Sequence, residues 1–291
     1  MGNCCYNNND HIFRREFAIK FPKTTEYIYY ENENNDFVYA VDINTFLSNL
    51  YCVNHFNNWV IYNDDISKIA ENHTKKGHCK GIVSWSKDSI GWLIHSVPNF
   101  PRKFKGNSIS QVEISELIYG QSFQFVEIKY DETILYNILH QLHIMEANIY
   151  MEQYDENHIK YKNMIFPKIN KIKLIKLTDD IIHIAKSPHI EIDIYSEYIA
   201  KDYNYNWKVE TWQRGHHINQ RTSNLIDIKS IKYEHFEFTE SQDHSKWATS
   251  DNDYYWLGDL NRMTSQYKRG GGGFICKDKK LAMCLNKLIK S

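Results

Sequence analysis

The sequence predicts a mixed α/β (α+β) fold, with two mixed β-sheet halves flanked by helices and packed as one compact unit. Three observations point there. Period-two apolar alternation recurs along the chain, an amphipathic helical stripe stands between such segments, and one strand–turn–strand design occurs twice. A chain of 291 residues can bury a substantial core in one large domain or in two halves. No long Gly/Ser linker interrupts it, and the halves are expected at residues 1–166 and 167–291.

Taken in order, the first copy of the repeated design reads Gly77-His78-Cys79-Lys80-Gly81-Ile82-Val83-Ser84-Trp85. It turns at Lys87-Asp88-Ser89, returns through Trp92-Leu93-Ile94 and ends in His95-Ser96-Val97-Pro98-Asn99-Phe100-Pro101. A strand with Phe123, Phe125 and Ile128 follows, although Val126 breaks its strict alternation. Asp131 is the expected N-cap of a helix. Ile134, Ile138, Leu142 and Met145 then form one stripe at helical spacing, read as core packing. The basic stretch Pro167 to Lys176 marks the connection between halves. Ile190, Ile192 and Ile194 alternate with polar neighbours and predict a strand within His189 to Tyr195.

The second copy reads Asp243-His244-Ser245-Lys246-Trp247-Ala248-Thr249, turns over Ser250 to Asp253 and returns through Tyr254-Tyr255-Trp256-Leu257. It ends in Gly258-Asp259-Leu260-Asn261-Arg262. The later run Gly270 to Gly273 is no phosphate-binding P-loop, because no Gly-Lys-Ser/Thr follows it. It is expected to permit tight backbone approach near the site. Trp207, Trp212 and Trp247 are read as core residues, with stacking on bases the alternative.

The formal net charge of -1 argues against a protein that coats nucleic acid by bulk electrostatics. A local basic channel remains open, with candidates Arg102, Lys103 and Lys105, then Lys168, Lys171, Lys173 and Lys176, then Lys268 and Arg269. The competing reading of each is a solvated face. The six cysteines form no C-x-x-C pair, which removes zinc-ribbon and thioredoxin readings. No run approaches the length of a transmembrane segment. Met-Gly-Asn-Cys-Cys hints at N-terminal acylation, but Tyr6 stands where Ser or Thr is usual.

The two copies carry the chemistry. Side chains two apart on a strand share a face, so His78 pairs with Lys80 and His244 with Lys246. Each hairpin return brings back an amide, Asn99 in the first half and Asn261 in the second. That set suits a phosphodiester. One neutral imidazole attacks phosphorus, a protonated one serves the leaving oxygen, and lysines with amides hold the phosphoryl oxygens. A single His-x-Lys carries little weight in a chain with 14 His, but two copies with the same hairpin and amide are a far stronger signal. Asp243 and Asp259 are candidates to orient a histidine, with turn capping the alternative.

His-x-Lys with a later Asn resembles the phospholipase D superfamily, and the surrounding words are similar to deoxyribonuclease II. The words are Gly-His-Cys-Lys-Gly at 77–81, His-Ser-Val-Pro-Asn-Phe-Pro at 95–101, Tyr-Gly-Gln-Ser-Phe at 119–123 and Val-Glu-Thr-Trp at 209–212. They continue with Asp-His-Ser-Lys-Trp at 243–247, Gly-Asp-Leu-Asn-Arg at 258–262 and Arg-Gly-Gly-Gly at 269–272. Phe17 to Tyr30 resembles the family's opening strand, so the likeness covers nearly the whole chain. It implies a phospholipase-D-like pseudodimer whose two motifs meet at one cleft. It also implies endonucleolytic cleavage of DNA without metal or cofactor, leaving 3′-phosphate ends, with an acidic optimum. His78, Lys80, Asn99, His244, Lys246 and Asn261 are then the expected catalytic residues, with His78 the nucleophile, His244 the general acid, and the reverse assignment open. Two other readings are a phosphodiesterase acting on a non-DNA substrate and a catalytically inactive nucleic-acid-binding homologue. A homodimer is a further expectation that the sequence leaves open.

The chain departs from the family in two places. Its first ten residues are polar and lack the apolar core of a signal peptide, whereas the family is typically lysosomal or secreted. Cys276 sits where the family has a bridged cysteine, and Trp256 stands at the expected partner's position. Both favour an intracellular, reducing setting, or a chain from which a leader was removed. Asn72-His73-Thr74 is a glycosylation sequon that matters only in a secreted chain. Cys79 replaces the common Thr and is expected to point away from the site.

Overall fold

Period-two burial sorts the chain into two sheets that share a central core. The computed structural model describes residues 12–52, 56–66, 76–212 and 224–290. The sequon, Cys4, Cys5 and the acylation signal lie outside the described residues. The strands are β1 Ile12–Lys20, β2 Tyr27–Glu31, β3 Asp36–Ala40, β4 Asn58–Asn63, β5 Lys80–Trp85, β6 Ser89–His95, β7 Gln121–Lys129, β8 Ile149–Gln153 and β9 Ile172–Lys176. They continue with β10 Ile181–Lys186, β11 Trp207–Glu210, β12 Leu225–Asp227, β13 Ser230–Tyr233, β14 Phe236–Thr239, β15 Trp247–Ser250, β16 Tyr254–Gly258 and β17 Gly271–Lys277. The helices are α1 Ile43–Tyr51, α2 Glu132–Ile144, α3 Ala200–Asp202, α4 Thr264–Tyr267 and α5 Lys279–Leu288.

The first sheet runs β3-β2-β1-β7-β6-β5-β4-β8 and the second β12-β11-β15-β16-β17-β10-β9, with β13 and β14 a separate pair. The strands β1-β7-β6-β5-β4 correspond, in spatial order and in chain order, to β10-β17-β16-β15-β11. Every neighbouring pair in both sets is antiparallel. The structural repeat therefore extends well beyond the hairpin visible in the sequence. Its edges differ: β8 is antiparallel to β4, whereas β12 is parallel to β11. The basic stretch read as a connection supplies β9 of the second sheet.

Alternation assigns each strand residue to a layer. Val83, Trp92 and Ile94 enter the central cluster, while Ile82 and Leu93 face an outer cluster beneath α1. In the second sheet Trp247, Tyr255 and Phe274 point into the same central cluster, and Ala248, Trp256 and Ile275 face outward toward Ile194, Tyr195 and Ile199. The sheets touch through Phe17 and Tyr255, with ring centroids 5.7 Å apart, and through Trp92 and Phe274 at 5.1 Å. Tyr255 donates its hydroxyl to Gln124 Oε1 at 3.0 Å, which satisfies a polar group inside that interface. Strands covered on both faces explain why β5 and β6 are buried along their whole length.

Helix starts follow local chemistry. Asp131 accepts from the Ile134 amide at 2.8 Å and opens α2, and Asp278 accepts from Leu281 at 3.0 Å and opens α5. Ile138, Leu142 and Met145 of the predicted stripe enter the core, Ile134 is only partly buried against it, and Leu135 joins the core beside them. One strand expectation fails. Residues around Ile190 and Ile192 are irregular, and a π-helical turn runs Tyr195–Ile199. Asp193 accounts for the change: its carboxylate accepts from the Tyr195 amide at 3.0 Å and from Ser196 Oγ at 2.9 Å, offering the backbone a helical start.

Candidate active site

Each histidine motif is tied to the opposite half of the molecule. The His78 amide donates to the Gly270 carbonyl at 2.8 Å, and the His244 amide donates to the Gly120 carbonyl at 2.9 Å. The lysines repeat the pattern: the Lys80 amide donates to Asp259 Oδ1 at 3.3 Å, and the Lys246 amide to Ser122 Oγ at 3.4 Å. These bonds close the account of main-chain donors where the hairpins have no ladder partner. Gly270 must approach the opposite backbone closely, since a Cβ there would lie 2.0 Å from the Met145 carbonyl oxygen. The glycine run therefore does bring backbones together beside the site.

The consequence is convergence. His78, Lys80, His95 and Ser96 from the first half and Lys246 and Asp259 from the second line one narrow crevice. His244 stands beside it, its ring stacked on Tyr119 at 4.1 Å and edge-on to Trp212 at 4.7 Å. Lys246 Nζ donates to the His244 carbonyl. Asn99 and Asn261 do not line the crevice. Asn99, at φ 51°, donates its amide to Glu116 Oε1 at 3.0 Å. Asn261 is buried, and its Oδ1 has no hydrogen-bond partner among the described residues.

Two local expectations change. His78 precedes β5, and both His244 and Lys246 precede β15, so strand alternation is not what aligns each pair. The cross-half bonds do that. Asp259 orients His78, but through its main chain: His78 Nδ1 lies 2.7 Å from the Asp259 carbonyl oxygen. A carbonyl only accepts, so Nδ1 carries the proton and Nε2 is the open nitrogen. The Asp259 carboxylate instead accepts from the amides of Lys80 and of Gly272, the latter at 3.2 Å. The Asp243 carboxylate caps the turn before the second motif, accepting from Ser245 at 2.8 Å. Cys79 is buried, part of the central core cluster, and also borders the crevice. Cys276 and Cys284 are free thiols.

Electrostatics divide the two lysines. Burial opposes charge on Lys80, but Asp64 at 2.5 Å and Asp65 at 2.9 Å raise its pKa. Burial and then Lys80 lower Lys246 to about 8. Burial, then Lys80, Lys246 and Arg269, holds His78 well below the ordinary imidazole range. Burial, then Lys246 and Lys80, lowers His244 to about 3. Burial pushes the Asp259 carboxyl up to about 8, against the pull of its two amide donors and Lys80. Arg269 reaches Asp64 at 2.8 Å, so Asp64 joins cations from both halves.

Sequence reasoning missed Asp64, Asp65, His95 and Tyr119. Only the β4–β5 register, in which Asn63 lies opposite Lys80, brings the two aspartates to the site. His95 and Tyr119 sit inside family words but carry no spacing that marks a role. Of the three tryptophans, Trp207 and Trp247 are core residues, while Trp212 packs on His244. Among the described residues no group of three or more His, Cys, Asp or Glu is placed to hold a metal ion, and no helix is long and apolar enough to cross a membrane.

Comparison with known proteins identifies the family. The family model for Deoxyribonuclease II matches residues 5–291. Cell-death-related nuclease 7 of Caenorhabditis elegans is 29% identical over 305 residues, covering 91% of this chain and 80% of the relative. Deoxyribonuclease-2-beta of Rattus norvegicus is 31% identical over 255 residues, covering 79% of this chain and 70% of the relative. Deoxyribonuclease-2-alpha of Sus scrofa is 25% identical over 253 residues, with 80% and 69% covered. With two mutually anchored histidine–lysine motifs and a match along nearly its whole length, this chain belongs to the deoxyribonuclease II family of nucleases.

Proposed function

We propose that this protein is an endonuclease that hydrolyses DNA phosphodiester bonds without a metal ion, through a covalent phosphohistidine, and leaves 3′-phosphate ends. The observation that carries the reading is the single crevice shared by His78, Lys80 and Lys246, which come from the two halves. His78 is the assigned nucleophile. Its Nδ1 is held by the Asp259 carbonyl, its Nε2 is open, and its lowered pKa keeps the ring neutral.

In the first step Nε2 attacks phosphorus, the bond from phosphorus to the 5′-oxygen breaks, and His244 gives that oxygen a proton. In the second, water attacks phosphorus, the phosphorus–nitrogen bond breaks to free His78, His244 takes the water's proton, and the 3′-phosphate leaves. Lys80 and Lys246 stabilise the charge that builds on the phosphoryl oxygens. His244 is neutral at pH 7 in the free protein, because its pKa lies near 3. A bound phosphodiester anion raises that value, and the protonated fraction grows as pH falls. The expected kcat therefore declines with rising pH on the limb set by His244.

Plasmid nicking followed across pH 4–8, with and without EDTA, with end-group analysis of the products, tests the reading. Persistent cleavage in EDTA and 3′-phosphate ends are expected. Loss of cleavage in EDTA, restored by magnesium, would refute the mechanism.

A further inference from the structure

We propose that the Asp65 carboxylate occupies the position a phosphoryl oxygen takes in this site, so that a bound phosphodiester displaces it from Lys80. This rests on the reading of the site as a phosphodiester catalyst. Two aspartates hold Lys80, and they differ. Asp64 is 2% exposed at its side chain, contacts Lys80 at 2.5 Å and joins Arg269 of the other half, which makes it part of the frame. Asp65 is 47% exposed and contacts Lys80 at 2.9 Å. Its main chain is fixed, since its amide donates to Asn63 Oδ1 at 2.9 Å, and the Asn63 amide is itself held by the carbonyls of Val97 and Phe100. The backbone is thus anchored while the side chain is half-exposed beside Lys80.

The surroundings of that carboxylate are those a phosphate needs. Asp65 acts electrostatically on His78, His244, Lys246 and Lys80, the titratable members of both motifs. Among the described residues, Glu116 and Asp64 are acidic groups that act on it. A carboxylate oxygen and a phosphoryl oxygen offer a cation the same kind of acceptor. Lys80 holds the Asp65 carboxyl below its ordinary range, so it competes as an anion at neutral pH. An incoming phosphate that left Asp65 in place would put three anions, Asp64 among them, on one ammonium.

The test is calorimetric titration of the full chain with inorganic phosphate at neutral pH, beside DNA cleavage kinetics. Asp65→Asn is expected to bind phosphate more tightly by on the order of tenfold, because a like-charged neighbour has been removed. Its KM for DNA is expected to fall with it. Asp65→Glu, which keeps the anion, should bind phosphate as weakly as the parent. Adding Lys80→Met to Asp65→Asn should erase the gain, which places the phosphate on Lys80. Unchanged or weaker phosphate binding in Asp65→Asn overturns the proposal, and Asp65→Ser is read the same way if the amide variant does not fold. Phosphate binding needs no turnover. A chain that follows these affinities but leaves DNA intact would retain this proposal and lose the nuclease reading.

Discussion

The two half-sites hold the same residue types in different surroundings. In the first, two carboxylates balance Lys80 and a carbonyl fixes the His78 tautomer. In the second, Lys246 donates to a main-chain carbonyl, its pKa falls to about 8, and His244 lies against Tyr119 and Trp212. Under the proposed mechanism a near-symmetric fold is fitted for unequal work. The oriented, neutral imidazole suits attack. The other imidazole lies beside a less compensated lysine and is the proposed proton donor.

The sharpest way to break this comparison is to remove each imidazole. His78→Ala and His244→Ala should each lower DNA cleavage by about 10⁴-fold or more, as when one member of a catalytic unit is lost. They should then part on bis(p-nitrophenyl) phosphate, whose leaving group needs no proton. His244→Ala is expected to recover much of its rate there and His78→Ala none. Equal recovery in both would end the division of roles.

Lysine replacement comes next. Lys246→Met should lower kcat by about 100- to 1000-fold, the usual cost of losing one donor to a developing charge. Lys80→Met should do the same and also remove the ammonium that Asp64 and Asp65 share, so its melting temperature should fall further than that of Lys246→Met. Calorimetry alongside kinetics separates the two effects.

A third buried imidazole sharpens the contrast from outside the site. His183 lies between Trp92 and Phe274, and burial lowers its pKa to about 3. The unfolded chain binds a proton on this ring near pH 6.5 and the folded one does not. Its contribution to stability is therefore complete above that pH and is lost as pH falls toward 3. His183→Gln should remove up to about 2 kcal/mol of the stability lost between pH 6.5 and 4.5, read from denaturant melts at both pH values. The smallest expected effect is at Tyr119. Tyr119→Ala removes the ring under His244 and should slow cleavage by up to about tenfold, the worth of one aromatic contact. A matching shift in the pH–kcat limb would tie that ring to His244.

The local signals were legible. Asp131 and the stripe behind it announced α2, because a cap and its periodicity lie within a few residues. Both hairpins were readable for the same reason. Where distant segments decide, the sequence was mute or misleading. The Ile190 to Ile194 alternation loses to an Asp193 turn that continues into a helix packed on the second sheet. Asp64 and Asp65 matter only through the β4–β5 register. The histidine motifs were found by repetition, but the force that aligns them is a pair of glycine carbonyls 192 and 124 positions away (270 − 78 and 244 − 120).

Those carbonyls give the fold a safeguard. Because Gly270 and Gly120 each hold the other half's histidine, neither motif is set until both sheets have docked. A nascent chain that has completed only its first sheet carries an imidazole and an ammonium with no opposing backbone to aim them. On the proposed mechanism either half made alone is therefore expected to leave DNA uncut, which cleavage assays of the separate halves would check.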